Sequence, residues 1–186
     1  MESITIYTIG HSTHTLEEFV DLLRTYTIQL LVDVRTIPRS RAHPQFGSDL
    51  LSPALQVVGI EYRHLKALGG LRHPTKASPN TGWRNASFRG FADYMATPAF
   101  GAGLAELEEL ARRKISAIMC AEALPWRCHR SLIADALTVG GWHVYHIMSK
   151  KTAREHTLTP FLHVEDGKLT YPGEERSADI GEVGGH

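Results

Sequence analysis

The stretch Ile115-Ser-Ala-Ile-Met-Cys-Ala-Glu-Ala-Leu-Pro-Trp-Arg-Cys-His-Arg-Ser-Leu-Ile-Ala-Asp-Ala-Leu137 decides the fold. Its first five residues form a short apolar run of strand length. Leu132, Ile133, Ala136 and Leu137 then recur at helical spacing, and Gly140-Gly141 ends that run. A buried strand feeding a helix is the repeating unit of α/β proteins, and the link outside the strand's carboxyl end is where such folds place ligand chemistry. Here that link, Met119 to Arg130, holds both cysteines of the chain, a glutamate, a histidine and two arginines.

The same alternation extends outward. Ile4-Thr-Ile-Tyr-Thr-Ile9 reads as a first strand and Gly10-His-Ser-Thr-His14 as its exit loop. Thr15-Leu-Glu-Glu18 has the spacing of a capping box, and Leu16, Phe19, Val20 and Leu23 form one helical face behind it. Leu30-Leu-Val-Asp-Val34 is a second apolar strand that ends in Arg35, and Ile60 to Leu65 a third. Thr97-Pro98 opens a helix carrying Phe100, Leu104, Leu107 and Leu110, with Glu108/Arg112 and Glu109/Arg113 as i,i+4 pairs. Trp142 to Ile147 is a fifth strand. The expectation is a mostly parallel five-stranded sheet with crossover helices. A small C-terminal hairpin over Leu162–Tyr171 should turn at Asp166-Gly167. Residues 1–173 make one domain, and Glu174 onward is a polar, Gly-rich tail expected to be disordered.

Composition narrows the function classes. The chain has 186 residues, 42% apolar and 22% charged, with a formal net charge of zero. No apolar run approaches a membrane span, and the start lacks a signal-peptide pattern. With two cysteines only, the chain is no disulfide scaffold, and a cytoplasmic location without membrane partners is expected. Between Asp33 and Gly90 there are nine Lys/Arg against three acids, a local excess of +6. That segment suits an anionic partner, a nucleotide or DNA, or it is a solvated surface balanced by the acidic remainder. Two long loops, Thr36–Asp49 and Gly69–Ser87, carry much of this charge. In a parallel sheet both would emerge beside Gly10-His11-Ser12 and Cys120–Arg130.

Thr8-Ile-Gly-His-Ser12, Asp33-Val-Arg35, Leu68-Gly-Gly70 and Met119-Cys-Ala-Glu122, followed by Pro125 and Cys128-His-Arg130, resemble the motifs of the domain-of-unknown-function family numbered 488. The resemblance runs from about Ile4 to Pro172. It implies a single intracellular α/β domain whose shared polar positions are site candidates, and it supplies no reaction.

The candidates carry distinct chemistries. Glu122, two residues beyond a buried strand, is a general acid or nucleophile if desolvated, or the partner of Arg127 or Arg130 in an ion pair. Cys128, near a helix N-terminus between Arg127 and His129-Arg130, has the surroundings of a reactive thiolate; Cys120 reads as a small core residue. Cys120, Cys128 and His129 could also ligate a metal, though Cys-x7-Cys-His lacks the paired spacing of zinc modules, so no metal is the first expectation. His11 is a candidate acid or base, and Ser12 lies in a turn whose N–H groups could hold an anion. Arg35, Arg39 and Arg130 are candidate phosphate ligands, with Asp33 competing for Arg35. Trp83 is a candidate stacking platform for a base. His143, His146, His156 and His163 are individually uninformative. Arg130 follows Cys128 too closely for a cysteine-phosphatase loop, and no CxxC pair, Walker loop or GxGxxG fingerprint occurs, so no cofactor is expected. The reading that joins these residues is an enzyme cleaving an N-glycosidic bond through Glu122, with His11 assisting. Its alternatives are thiol chemistry at Cys128 and a nucleic-acid-binding module without catalysis.

Overall fold

In the computed structural model, which describes residues 4–173, the strand-to-helix alternation closes into one six-stranded sheet. Its strands are β1 (Thr5–Gly10), β2 (Leu30–Asp33), β3 (Glu61–His64), β4 (Ser116–Cys120), β5 (His143–Ile147) and β6 (Ala153–Glu155), in the spatial order β3-β2-β4-β1-β5-β6. The first five run parallel; β6 adds antiparallel to β5, pairing Tyr145 with Glu155 and Ile147 with Ala153. The five expected strands are present, and β6 is the addition. Three residues long and without alternation of its own, it exists because β5 offers an edge. The hairpin forms as β7 (His163–Glu165) and β8 (Lys168–Thr170). Asp166 at φ 50° and Gly167 at φ 77° take the left-handed conformations a two-residue turn requires.

Helix α1 (Leu16–Thr25) starts on its capping box: Thr15 Oγ1 accepts from Glu18 N–H at 3.1 Å, and Glu18 Oε1 accepts from Thr15 N–H at 3.4 Å. Helices α2 (Ser48–Val57) and α3 (Ala86–Tyr94) follow the two long loops. α4 (Pro98–Arg113) and α5 (Arg130–Val139) complete the set, with Thr97 capping α4 through its bond from Phe100 N–H.

The pleat divides the core in two. Leu31, Ala117 and Met119 face Phe19, Leu22 and Leu23 of α1 and Leu51 and Leu55 of α2. Leu30, Val32 and Ile118 face Phe91, Phe100, Leu107, Leu132 and Leu137 on α3, α4 and α5. β4 is therefore buried along its whole length. β1 and β4 are neighbours, yet their chains leave toward helices on opposite faces. That divergence opens a crevice beyond the carboxyl ends of the strands. Among the described residues no helix is long and apolar enough to cross a membrane. The expected tail, from Glu174, lies outside the described residues.

Candidate functional site

A cavity of about 400 Å³ lies beyond the carboxyl ends of β2, β3 and β4. Its walls come from the loops after β2 (Arg35, Thr36), after β3 (Gly70, Leu71, Asn85, Ser87, Phe88) and after β4 (Cys120, Ala121, Glu122, Arg127, Cys128, His129). Three of the four segments expected at this edge thus meet. The fourth, after β1, does not line it. His11 N–H donates to Cys120 O and Ser12 N–H to Ala121 O, both at 2.9 Å, so the exit of β1 is stitched to the exit of β4. Those N–H groups are taken, which corrects the expectation of an anion-binding turn at Ser12. His11 is 2% exposed, stacks on Phe46 at 4.4 Å and donates from Nδ1 to Ser12 O. Burial above all, opposed by that hydrogen bond and aided by the Arg35 charge, lowers its pKa to about 4. His11 packs beside the cavity and does not line it, and its Nε2 is buried without a partner among the described residues.

Arg35 is likewise occupied. Its Nε and Nη2 donate to the two Asp33 oxygens at 2.9 and 2.7 Å, and Nη2 also reaches Phe46 O at 2.7 Å. Tyr62 donates to Asp33 Oδ2 at 2.5 Å. The competing ion pair is the one that forms, because residues i and i+2 at a strand end share a face. Only Nη1 of Arg35 lacks a partner among the described residues. Arg39 is exposed and outside the cavity, so it is no ligand of this site. Other basic groups of the segment are engaged elsewhere: Arg63 with Glu61, Arg72 over the Tyr94 ring, and Arg89 with Trp83 O.

The cysteines form the floor. Cys120 and Cys128 are both buried, with their Sγ atoms 2.6 Å apart. Cys128 Sγ lies 3.4 Å from His129 Nδ1 and accepts from Arg130 N–H at 3.5 Å. His129 Nε2 sits 2.8 Å from Val34 O. A carbonyl only accepts, so that nitrogen carries the proton and Nδ1 is left facing the thiol as an acceptor. Gly70 makes room for this ring, since a Cβ there would lie 2.6 Å from Nδ1.

Burial pushes the Cys120 thiol well up, and the neighbouring Cys128 pushes it further. Burial also acts to raise Cys128, but the hydrogen bond from Cys120, the Arg130 charge and the Arg130 N–H outweigh it and bring its pKa down. Of the two, Cys128 is the more readily ionised. The metal alternative fits poorly, since thiolates sharing a tetrahedral zinc at about 2.3 Å per bond sit about 3.7 Å apart. Among the described residues no cluster of three or more His, Cys, Asp or Glu is arranged to hold a metal ion.

Arg130 is 1% exposed and lies behind this floor. Nη2 donates to the carbonyls of Glu122 at 2.9 Å and Ala123 at 3.3 Å, and Nη1 to Thr8 Oγ1 at 3.3 Å. It shapes the loop after β4 and supplies charge to Cys128; it is not placed to hold a phosphate. Glu122 stands at the cavity rim, exposed, with Oε1 accepting from Leu124 N–H at 3.4 Å. It is neither desolvated nor ion-paired to Arg127 or Arg130, which corrects both sequence readings. Trp83 packs against Phe88, Phe161 and Tyr171 at 5.0, 4.9 and 5.5 Å, so its expected stacking role falls to its own core. Trp83 lines a second cavity, of about 290 Å³, and its stack with Phe88 walls this off from the first.

Four residues went unread. Thr8 Oγ1 lies 2.6 Å from His146 Nδ1, His146 Nε2 lies 2.8 Å from His156 Nδ1, and His156 Nε2 lies 2.7 Å from Asp135 Oδ1. One proton arrangement satisfies the whole row, with both imidazoles neutral and each group donating toward Asp135. The row joins Arg130 to a fully buried carboxylate, which also accepts from Tyr171 Oη and from Thr159. One signal was available: Asp135 interrupts an apolar helical run, where a lone carboxylate must find partners.

The fold and cavity define an open α/β protein with a crevice at the carboxyl ends of its strands, lined in part by two thiols. The family model described as Domain of unknown function DUF488 matches residues 15–137, and the chain belongs to that family. No match was found among curated proteins or among solved structures.

Proposed function

We propose that the protein is a thiol-dependent enzyme in which Cys128 is the nucleophile and a small anionic molecule is the substrate. The observation that carries this reading is the setting of Cys128. Cys128 lines the cavity, and its sulfur has a second thiol at 2.6 Å, an acceptor imidazole nitrogen at 3.4 Å and a helix-terminal N–H at 3.5 Å. Each of these partners either removes the thiol proton or stabilises the anion left behind. His129 Nδ1 faces the sulfur as the proton acceptor, although burial lowers its basicity, and the Nε2 bond to Val34 O keeps the ring turned toward the sulfur. Arg127 supplies positive charge for the substrate, while Thr36, Asn85 and Ser87 supply hydrogen-bonding groups. The cavity volume suits a nucleotide-sized molecule.

Glycosidic cleavage through Glu122 is the second reading, favoured by one fact: this carboxylate lines the same cavity. Its exposure weakens the reading, because a general acid at neutral pH needs an environment that disfavours the carboxylate. The two are separated with a panel of nucleotides, nucleosides, modified-base oligonucleotides and small thioester, phosphoester and disulfide substrates. Thiol chemistry predicts that Cys128→Ser lowers kcat by about 1000-fold or more, while Glu122→Gln keeps it within about 5-fold. Base release that survives Cys128→Ser and disappears in Glu122→Gln would reverse the choice.

A further inference from the structure

We propose that Cys120 and Cys128 work as a dithiol–disulfide couple: Cys128 attacks a low-molecular-weight anionic disulfide held in the cavity, and Cys120 resolves the mixed disulfide. This deepens, and rests on, the thiol reading above. The two cysteines are the only ones in the chain, and they come from separate elements, the end of β4 and the turn that enters α5. Their sulfurs are 2.6 Å apart, against about 2.05 Å for a disulfide bond, so a small side-chain movement joins them. Both sulfur-bearing residues line the cavity. Core packing alone explains two buried cysteines but not their facing one another in the wall of a cavity that also carries Arg127, Asn85 and Ser87.

The surroundings assign different tasks to the two thiols. Cys128 has the Arg130 N–H at 3.5 Å and the Arg130 guanidinium behind it, and is the better thiolate. Cys120, buried and beside that negative charge, keeps its proton until Cys128 has reacted. In the first step the Cys128 thiolate attacks R–S–S–R, a Cys128–S–S–R bond forms, and RS⁻ leaves. Cys120 then gives up its proton to the departing RS⁻ and attacks the Cys128 sulfur. The Cys120–Cys128 bond forms, the bond to the second RS breaks, and that thiolate leaves, taking the proton Cys128 shed to His129 Nδ1. Two electrons pass from the protein dithiol to the small disulfide, which departs as two RSH. Arg127 favours carboxylate-bearing R groups.

The test uses the full chain, reduced, desalted and incubated with oxidised glutathione, followed by intact mass and thiol titration, with circular dichroism to confirm that each variant is folded. Wild type should lose both thiols and the mass of two hydrogens, with no lasting adduct. Cys120→Ser should stop at one glutathione adduct on Cys128. Cys128→Ser should react about 100-fold more slowly than wild type. A wild-type protein that halts at the same stable adduct as Cys120→Ser overturns the couple while leaving the Cys128 nucleophile standing. Should Cys128 in Cys120→Ser take up neither glutathione nor iodoacetamide, the thiol reading fails and the couple with it.

Discussion

Gly10 shows how a single residue holds the site together. A Cβ at this position would overlap the Glu122 carbonyl, which the Arg130 guanidinium also fixes. The β1 exit can therefore lie against the loop after β4 only without a side chain. Gly10→Ala should destabilise the fold by on the order of 3 kcal/mol and slow Cys128 alkylation, since the loop that aligns the thiol must move. Urea denaturation and iodoacetamide kinetics on the variant check this; unchanged values in both would remove Gly10 from the account. At this scale the sequence indicates which residues share the cavity better than it indicates their hydrogen-bond partners. Cys128 and Glu122 do line one cavity. Arg35, Arg130 and His11 were chosen for their chemistry, but Asp33, two carbonyls and Phe46 had already engaged them. Hydrogen-bond partners distant in sequence leave no local trace.

Elements were legible wherever periodicity or capping chemistry stood in the chain. The Thr15 capping box and the Thr97-Pro98 start are where their spacing puts them, and the Asp166-Gly167 turn has the expected left-handed pair. α2 and α3 were not anticipated, because each is short and follows a long irregular loop, and α2 carries Pro53 inside it. Strand β6 was missed for a related reason, since its existence depends on an edge and not on its own three residues. The turn entering α5 is the element that matters most for function. It delivers Cys128, His129 and Arg130 consecutively, so one backbone path sets the thiol, its acceptor and its neighbouring charge.

Among the described residues, His11 and His146 are buried histidines with depressed pKa values, and they shape the response to acid. His146 is lowered to about 3, chiefly by burial and then by His156 beside it, and His11 is lowered to about 4. Both sit below the ordinary 6.5, so the unfolded chain takes up these protons first. Their contribution is complete above pH 6.5 and is lost as pH falls toward their folded values. His146 alone should lower stability by on the order of 3 kcal/mol between about pH 6.5 and 4, and His11 adds to that drop. Urea midpoints across that range check it. His146→Gln should flatten the slope above about pH 5, where carboxylates titrate little; an equal slope in both proteins would show that the Thr8–His146–His156–Asp135 row is not its source.

At the same scale, sheet topology explains why the site was partly foreseeable: parallel strands gather their exits at one edge, and β4 lies between β2 and β1. It also explains the main surprise, that β1 contributes structure instead of chemistry. The most direct measurement is the rate of Cys128 carbamidomethylation by iodoacetamide as a function of pH, followed by peptide mass mapping. The account predicts a thiolate midpoint below the ~8.5 of free cysteine, with Cys120 unmodified across the profile. A midpoint at or above that of free cysteine, or modification of Cys120 first, would contradict it.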